Sequence, residues 1–454
     1  MAAPVKEGTK EDTRRNESGV LPLTRASITD TLRVGALVMA PAIARGVIAR
    51  RPGIVALSEE LQADLRAGRL LTRLRHRYGP GPLHLRIPVR SFALLLSPED
   101  AKRALVHSPE PFSLDTWEKH ASLAHFQPHG VLISRGADRA DRRAFNEAVL
   151  DTPHPVHCMA GRFSRKIEEE AAVLLRKVEE SGELGWDEFR VAWWRVIRRI
   201  VLGDAARDDH RVSDMLTKLR MNADWAFAHP RRKRLRARFQ RRLDAHLRRA
   251  EPGSLAGLMA QTPRTERTEP RQQVPQWLFA YEPAGMAAFR ALALLAAHPE
   301  QMRRARREAE SGSVELPFLR ACVQESLRLW PTTMAILRES TEDTVWAGRT
   351  MPARTGMLIF TPFTQRDGEN LPFADSFAPD IWLDGTARED WSILPFSGGP
   401  GECPGRQLVL LSTSMFLAEL LRAHDFRQRA GVRLRADRPM PRTLGPFRLR
   451  FGVV

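Results

Sequence analysis

The chain has 454 residues, 43% of them hydrophobic, which is enough for a substantial core in one large domain or a few ordinary ones and excludes wholesale disorder. Its 71 basic and 54 acidic residues give a formal charge of +17, and only eight of the basic residues are lysine. An Arg- and Ala-rich, Lys-poor composition is the signature of a GC-rich genome, so the charge reads as a solvated basic surface rather than as an address for an acidic protein partner or an anionic surface.

Residues 1–20 are polar and charged (KEGTKEDTRRNESG) and are expected to form a mobile tail. They lack the charged, apolar and small-residue order of a signal peptide. The longest early apolar run, Val34 to Ala44, contains Pro41, stops at Arg45 and falls short of the ~20 residues that a bilayer span needs. Three cysteines, an odd number, fit a reducing interior. The expectation is a soluble, cytoplasmic, monomeric protein without a transmembrane segment.

Leucines from Leu61 to Arg77 recur at helical spacing. Gly79-Pro80-Gly81-Pro82 breaks that helix, LHLRIPV and FALLLSP read as short strands, and PEDAKRALVHS as the next helix. Most of 138–330 reads as helix, and strands with turn residues return around Ala347 to Phe360. No repeat or linker divides the chain. The pattern predicts one domain over residues 21–454, mainly α with small β-sheets near both ends.

Near the C-terminus stands FSGGPGECPGRQLVLL, Phe396 to Leu411. A loop so rich in Gly and Pro gives Cys403 little to pack against, and a disulfide partner is improbable. What remains is a thiolate displayed by a backbone that approaches something closely. A thiolate is a strong electron-donating axial ligand to iron. Such a ligand needs glycines to let the chain pass beneath a flat macrocycle, here Gly399 and Gly405. It also needs N–H groups aimed at the sulfur and an aromatic cover, here Phe396. The helix expected from Arg406 onward adds its N-terminus to the thiolate's surroundings.

FSGGPGECPG resembles the cysteine-ligand loop of the cytochrome P450 family, and four further segments follow the family's order. FLRACVQESLRLWP supplies Glu325 and Arg328, which lie on one helical face and resemble the family's structural Glu-x-x-Arg pair. Arg338 matches the position whose guanidinium meets a haem propionate by charge-assisted bonding, and the strand–turn–strand after it is also similar. GADRADRRAFNEAVL resembles the helix that offers two residues four apart to the propionates, here Arg139 and Arg143. The resemblance covers residues 60–454. It implies haem b as cofactor, a small organic substrate, and a monooxygenase fed by a separate ferredoxin or flavodoxin, since no flavin or nicotinamide motif is present. The donor is expected near Arg139, Arg142 and Arg406.

Three departures stand out. Gly401 replaces a propionate-binding Arg or His, which predicts a lost contact. Ile381 replaces an arginine, which leaves the Glu325–Arg328 pair without its usual third member. On the distal helix the family's acid and alcohol, which supply protons during oxygen activation, fall on Glu282 and Pro283, and no Ser or Thr occurs from Trp277 to His298. Glu282 with water or a substrate hydroxyl is a substitute relay; peroxide as the oxidant, or a haem protein without oxygenase activity, are the alternatives. Pro283 is expected to widen or kink the helix. Trp193, Trp194, Trp225 and Phe227 are either substrate lining or plain core. The run Arg231 to Arg242, with Leu235 and Phe239 as a narrow apolar stripe, reads as a docked, solvated helix with no role in nucleic-acid binding.

Overall fold

The computed structural model describes residues 21–453; the expected tail at 1–20 lies outside the described residues. The protein is mainly helical with three small sheets, as the sequence predicts. The largest sheet has five strands in the order Leu83–Leu85, Phe92–Leu94, Gly356–Phe360, Ala335–Ser340, Phe112–Ser113. It joins early and late parts of the chain, and it sets Arg338 opposite Met357 in an antiparallel register. A three-stranded sheet (Phe426–Ala430, Arg450–Val453, Glu183–Gly185) carries the end of the chain back to the helical body.

The centre of the molecule is the 28-residue helix Pro270–Ala297. From Ala284 to Leu295 it is apolar but for Arg290, the composition of a helix buried all round, and most of it is enclosed by other elements. By length and hydropathy it would pass for a bilayer span, but here it is the core of the fold. Trp186, Phe189, Trp193, Phe289 and Phe416 interlock beside it, mostly edge-to-face or tilted. The helix continues through Pro283, where the sequence predicts a widening or a kink. Gly285 has a packing reason: a Cβ there would stand 2.5 Å from the Trp193 ring.

The basic run forms the outer helix Lys233–Arg249. Phe239 and Leu243 are fully buried and Leu235 partly, while Arg238 and Arg241 are exposed, as the narrow stripe predicts.

Candidate cofactor site

The loop 396–405 is closed by one backbone bond: the Cys403 N–H donates to the Phe396 carbonyl at 3.0 Å. Phe396 and Cys403 are thereby held across one turn, with Phe396 half-buried against the main core. Gly399 has φ +61°, and a Cβ on it would lie 2.3 Å from the Leu105 carbonyl oxygen. The close approach that demands this glycine is therefore to the helix Pro98–Val106, not only to a cofactor. Gly405 shows no comparable demand, since a Cβ there would meet nothing nearer than 3.9 Å. The helix Arg406–Ala423 begins immediately after the loop.

Cys403 is half-buried and unbridged. Burial pushes its thiol above the ordinary range, while the Gly405 N–H and the guanidiniums of Arg143 and Arg406 pull it down. A coordinated metal deprotonates such a thiol outright, and the same N–H and cations then stabilise the sulfur's charge.

Beside the loop the fold gathers positive charge. The face of the helix Gly136–Val149 that carries Arg139 and Arg143 meets the loop, as the four-residue spacing predicts. Arg139 donates to the Pro400 carbonyl at 3.2 Å, and its buried Nε has no partner. Arg143 donates to the Glu402 carbonyl at 2.7 Å and pairs with Glu147. Arg338, 2% exposed, donates to Ser108 Oγ at 2.7 Å and to its neighbour's carbonyl at 3.0 Å. Lys119, which the sequence does not single out, donates to the Leu114 and Leu337 carbonyls, both at 3.0 Å.

Among the described residues only Arg143 of these four has a carboxylate partner. Burial, with repulsion from Arg139, lowers the Arg338 pKa to about 10. Burial, with repulsion from Arg338, lowers that of Lys119 to about 7. Buried cations without anions are costly unless something negative meets them. An iron porphyrin with two propionates fits this set of donors: sulfur for the metal, and Arg139, Arg143, Arg338 and Lys119 for the rim carboxylates. Lys119 did leave a signal, as one of only eight lysines in an arginine-dominated chain.

Gly401 has a packing reason. A Cβ there would stand 2.6 Å from Arg338 Nη2, so the guanidinium of Arg338 already fills the space of the missing side chain.

The pair Glu325–Arg328 is completely buried and bidentate, at 2.6 and 2.8 Å. Arg328 also donates to the carbonyls of Gln365, Phe373, Ala374 and Ser376, tying down the segment that leads towards the ligand loop. The expected gap left by Ile381 is not there. The next residue, Trp382, donates its indole N–H to Glu325 and supplies the third member. Ile381 itself packs in a small apolar cluster with Leu371 and Ile393.

On the long helix, Glu282 is ion-paired with Arg220, which is 2% exposed and also donates to the Ile48 carbonyl at 2.6 Å. Arg220 lies over the Phe279 ring, 4.6 Å from its centroid. Sequence pattern gives no hint of this partner, which comes from the helix His210–Ala223, 62 positions away. Of the four aromatic candidates for substrate lining, Trp193 and Trp194 are core, and Trp193 donates to the Tyr281 carbonyl at 2.7 Å. Trp225 and Phe227 are exposed, with Phe227 stacked on Trp117. Arg142, expected on the donor-docking surface, is buried and paired with Glu269 at 3.0 Å, so it belongs to the frame of the fold.

A displayed thiol, a rim of cations and a buried Glu–Arg brace are the features that a haem-thiolate site requires. Residues 264–442 match the family model described as Cytochrome P450. Cyclooctatin synthase of Streptomyces melanosporofaciens is 33% identical over 136 residues, 30% of each chain. Cytochrome P450 4c21 of Blattella germanica is 33% identical over 144 residues, 29% of each. The aligned segments thus span about 30% of the length of these curated relatives. Among solved structures, a zebra fish cytochrome P450 with progesterone superposes with a TM-score of 0.68 at 17% identity, covering 85% of this chain and 99% of that one. Retinoic acid-bound cyanobacterial CYP120A1 gives 0.67 at 17% identity, covering 84% and 94%. The match to the cytochrome P450 family model thus lies in residues 264–442, and the fold of the chain is that of the solved cytochrome P450s.

Proposed function

We propose that the protein is a monooxygenase that oxidises a small organic substrate, using O2 and electrons from a separate cytoplasmic ferredoxin or flavodoxin. The observation that carries this reading is the half-buried Cys403 thiol beside three cations without carboxylate partners. When bound, the haem supplies reductive activation of oxygen, with the thiolate as its electron-donating ligand. The chain's own residues anchor the sulfur, neutralise the propionates through Arg139, Arg143, Arg338 and Lys119, and brace the ligand loop through Glu325 and Arg328. The test is turnover of a substrate library by the haem-loaded protein with a ferredoxin system. A protein that takes up haem but oxidises nothing under these conditions or with peroxide overturns the reading and leaves a haem-binding protein without oxygenase activity.

A second reading, peroxide as oxidant, is favoured by one observation. The carboxylate of Glu282 is committed to Arg220, Pro283 carries no hydroxyl, and no Ser or Thr lies nearby on the helix. Peroxide brings its own oxygen and electrons and removes the need for a donor protein.

A further inference from the structure

We propose that Asp151, His157 and Cys158 form a second metal site, for zinc, on a turn beside the ligand loop and separate from Cys403. The turn reads DTPHPVHC from Asp151 to Cys158 and joins the helices Gly136–Val149 and Ala160–Ser181. A carboxylate oxygen, an imidazole nitrogen and the sulfur all lie within 4.8 Å of one another. Among the described residues no other group of three His, Cys, Asp or Glu donors converges so closely.

Each donor is oriented as well as near. The ring of His157 is buried, and its Nε2 lies 3.2 Å from the Val149 carbonyl. A carbonyl can only accept, so Nε2 carries the proton and Nδ1 carries the lone pair, the arrangement that fixes a metal-binding histidine. Nδ1 stands 3.7 Å from Cys158 Sγ. Sulfur and nitrogen bound at ~2.3 and ~2.05 Å to one tetrahedral zinc are ~3.6 Å apart. Asp151 has φ +51°, and its carboxylate folds back over the turn. Oδ2 accepts the Cys158 N–H at 2.7 Å, and Oδ1 accepts from His154 Nδ1 at 2.5 Å. Each oxygen keeps a lone pair for a metal. The Met159 N–H, 3.0 Å from His157 Nδ1, opposes binding and is displaced when the metal takes that lone pair.

The donor set selects the metal. Thiolate, imidazole and carboxylate together suit zinc, whereas magnesium and calcium prefer oxygen alone. On binding, the Cys158 thiol releases its proton to solvent, two anions balance the ion, and water fills the fourth position. The turn is also tied to the ligand loop. Thr152 donates its hydroxyl to the Pro404 carbonyl at 2.7 Å, next to Cys403. Arg320, 7% exposed, donates to the Pro155 carbonyl at 2.5 Å and to Gln407 Oε1 at 3.2 Å. A metal that joins the two ends of this turn therefore stiffens a support of the loop that carries Cys403.

The test uses the haem-loaded, tag-free full chain, stripped with EDTA, dialysed and equilibrated with zinc sulfate. One zinc per chain is expected, with a Kd of about 10 μM or tighter. X-ray absorption at the zinc edge should show one sulfur neighbour at ~2.3 Å among nitrogen and oxygen. The urea midpoint should rise with the logarithm of free zinc. Cys322 is fully buried, so the sulfur is expected from the exposed Cys158, and Cys158→Ser should weaken binding at least about tenfold while keeping the zinc-free urea midpoint. Asp151→Asn, which tolerates the same left-handed backbone, should do likewise and stands in should the serine variant prove unstable. Weaker binding by wild type, a spectrum without sulfur, or zinc binding unchanged in both variants overturns the site. Displacement of the zinc by a roughly thousandfold excess of magnesium overturns the choice of metal. Zinc that binds without moving the urea midpoint overturns its role as a brace.

Discussion

Trp382 donates its indole N–H to Glu325 Oε2 at 2.9 Å, while the Ala378 N–H reaches Oε1 at 2.8 Å. With the two bonds from Arg328, the buried carboxylate is met by four donors. Removing one donor to a buried charge costs about 1–3 kcal/mol. Removing the charge itself leaves Arg328 buried and unpaired, at about 3–5 kcal/mol. Trp382→Phe is therefore expected to lower the urea midpoint modestly and to keep haem, whereas Glu325→Ala loses haem uptake. An unchanged midpoint for Trp382→Phe would show that Trp382 contributes nothing to the brace.

The ligand loop makes a spectroscopic prediction. Ferrous protein with carbon monoxide is expected to show the red-shifted Soret band of thiolate ligation, and Cys403→Ala to abolish it. Cys158 is exposed but bonded into the Asp151 turn, and Cys322 is fully buried, so neither is placed to substitute. Persistence of the band in Cys403→Ala would move the ligand elsewhere.

What could be read from the sequence divides by distance along the chain. The cysteine loop, the pair Glu325–Arg328 and the spacing of Arg139 and Arg143 are local patterns, and local geometry suffices to place them on one turn or one helical face. The gap expected at 381 was misjudged because the compensation comes from outside the pattern. Arg338 fills the space beside Gly401, and Trp382 replaces the function expected at 381 from one position further on. Arg220 with Glu282, Lys119 with Leu337, and Arg50 with Thr332 join segments 62 to 282 positions apart. No periodicity encodes such meetings; only packing creates them. Arg142 looked like surface because arginine usually is, yet its helix turns it inward onto Glu269.

Lys119 gives a pH dependence. Its folded pKa, about 7, lies well below the ordinary lysine value of ~10.4. Between these limits the unfolded chain holds a proton that the folded, haem-free chain does not, so stability rises with pH across that window. Propionates beside Lys119 would favour its charged form and shrink the slope. Urea midpoints at several pH values across the window should therefore climb in haem-free protein, and climb less both with haem and in haem-free Lys119→Met. Equal slopes in wild type and Lys119→Met would assign the pH dependence to other groups.

Donor docking can be tested at a residue that the fold leaves accessible. Arg406 is 41% exposed and paired with Glu402 across one helical turn at the edge of the ligand loop. Arg406→Glu reverses a charge where an acidic donor would meet the protein, and its reduction rate is expected to fall several-fold at low salt and to converge with wild type at high salt. Arg142→Glu, by contrast, buries a second carboxylate against Glu269 and is expected to lower stability rather than docking alone. A salt-insensitive, unaltered reduction rate in Arg406→Glu would place the donor on another face.

The choice between oxygen and peroxide turns on Glu282. A proton relay needs a carboxyl group free to turn towards the reaction, but this one is held by a guanidinium that is itself anchored to the Ile48 carbonyl and packed on Phe279. With the acid so committed, Glu282→Gln should cost about 1–3 kcal/mol in stability through the weakened bond to Arg220. It should lower oxygen-supported and peroxide-supported turnover by the same factor. Measuring both rates on one substrate, with stability checked by urea, separates the two effects. A loss of tenfold or more confined to the oxygen-supported reaction would mean that the pair with Arg220 opens during turnover and that Glu282 delivers the proton after all.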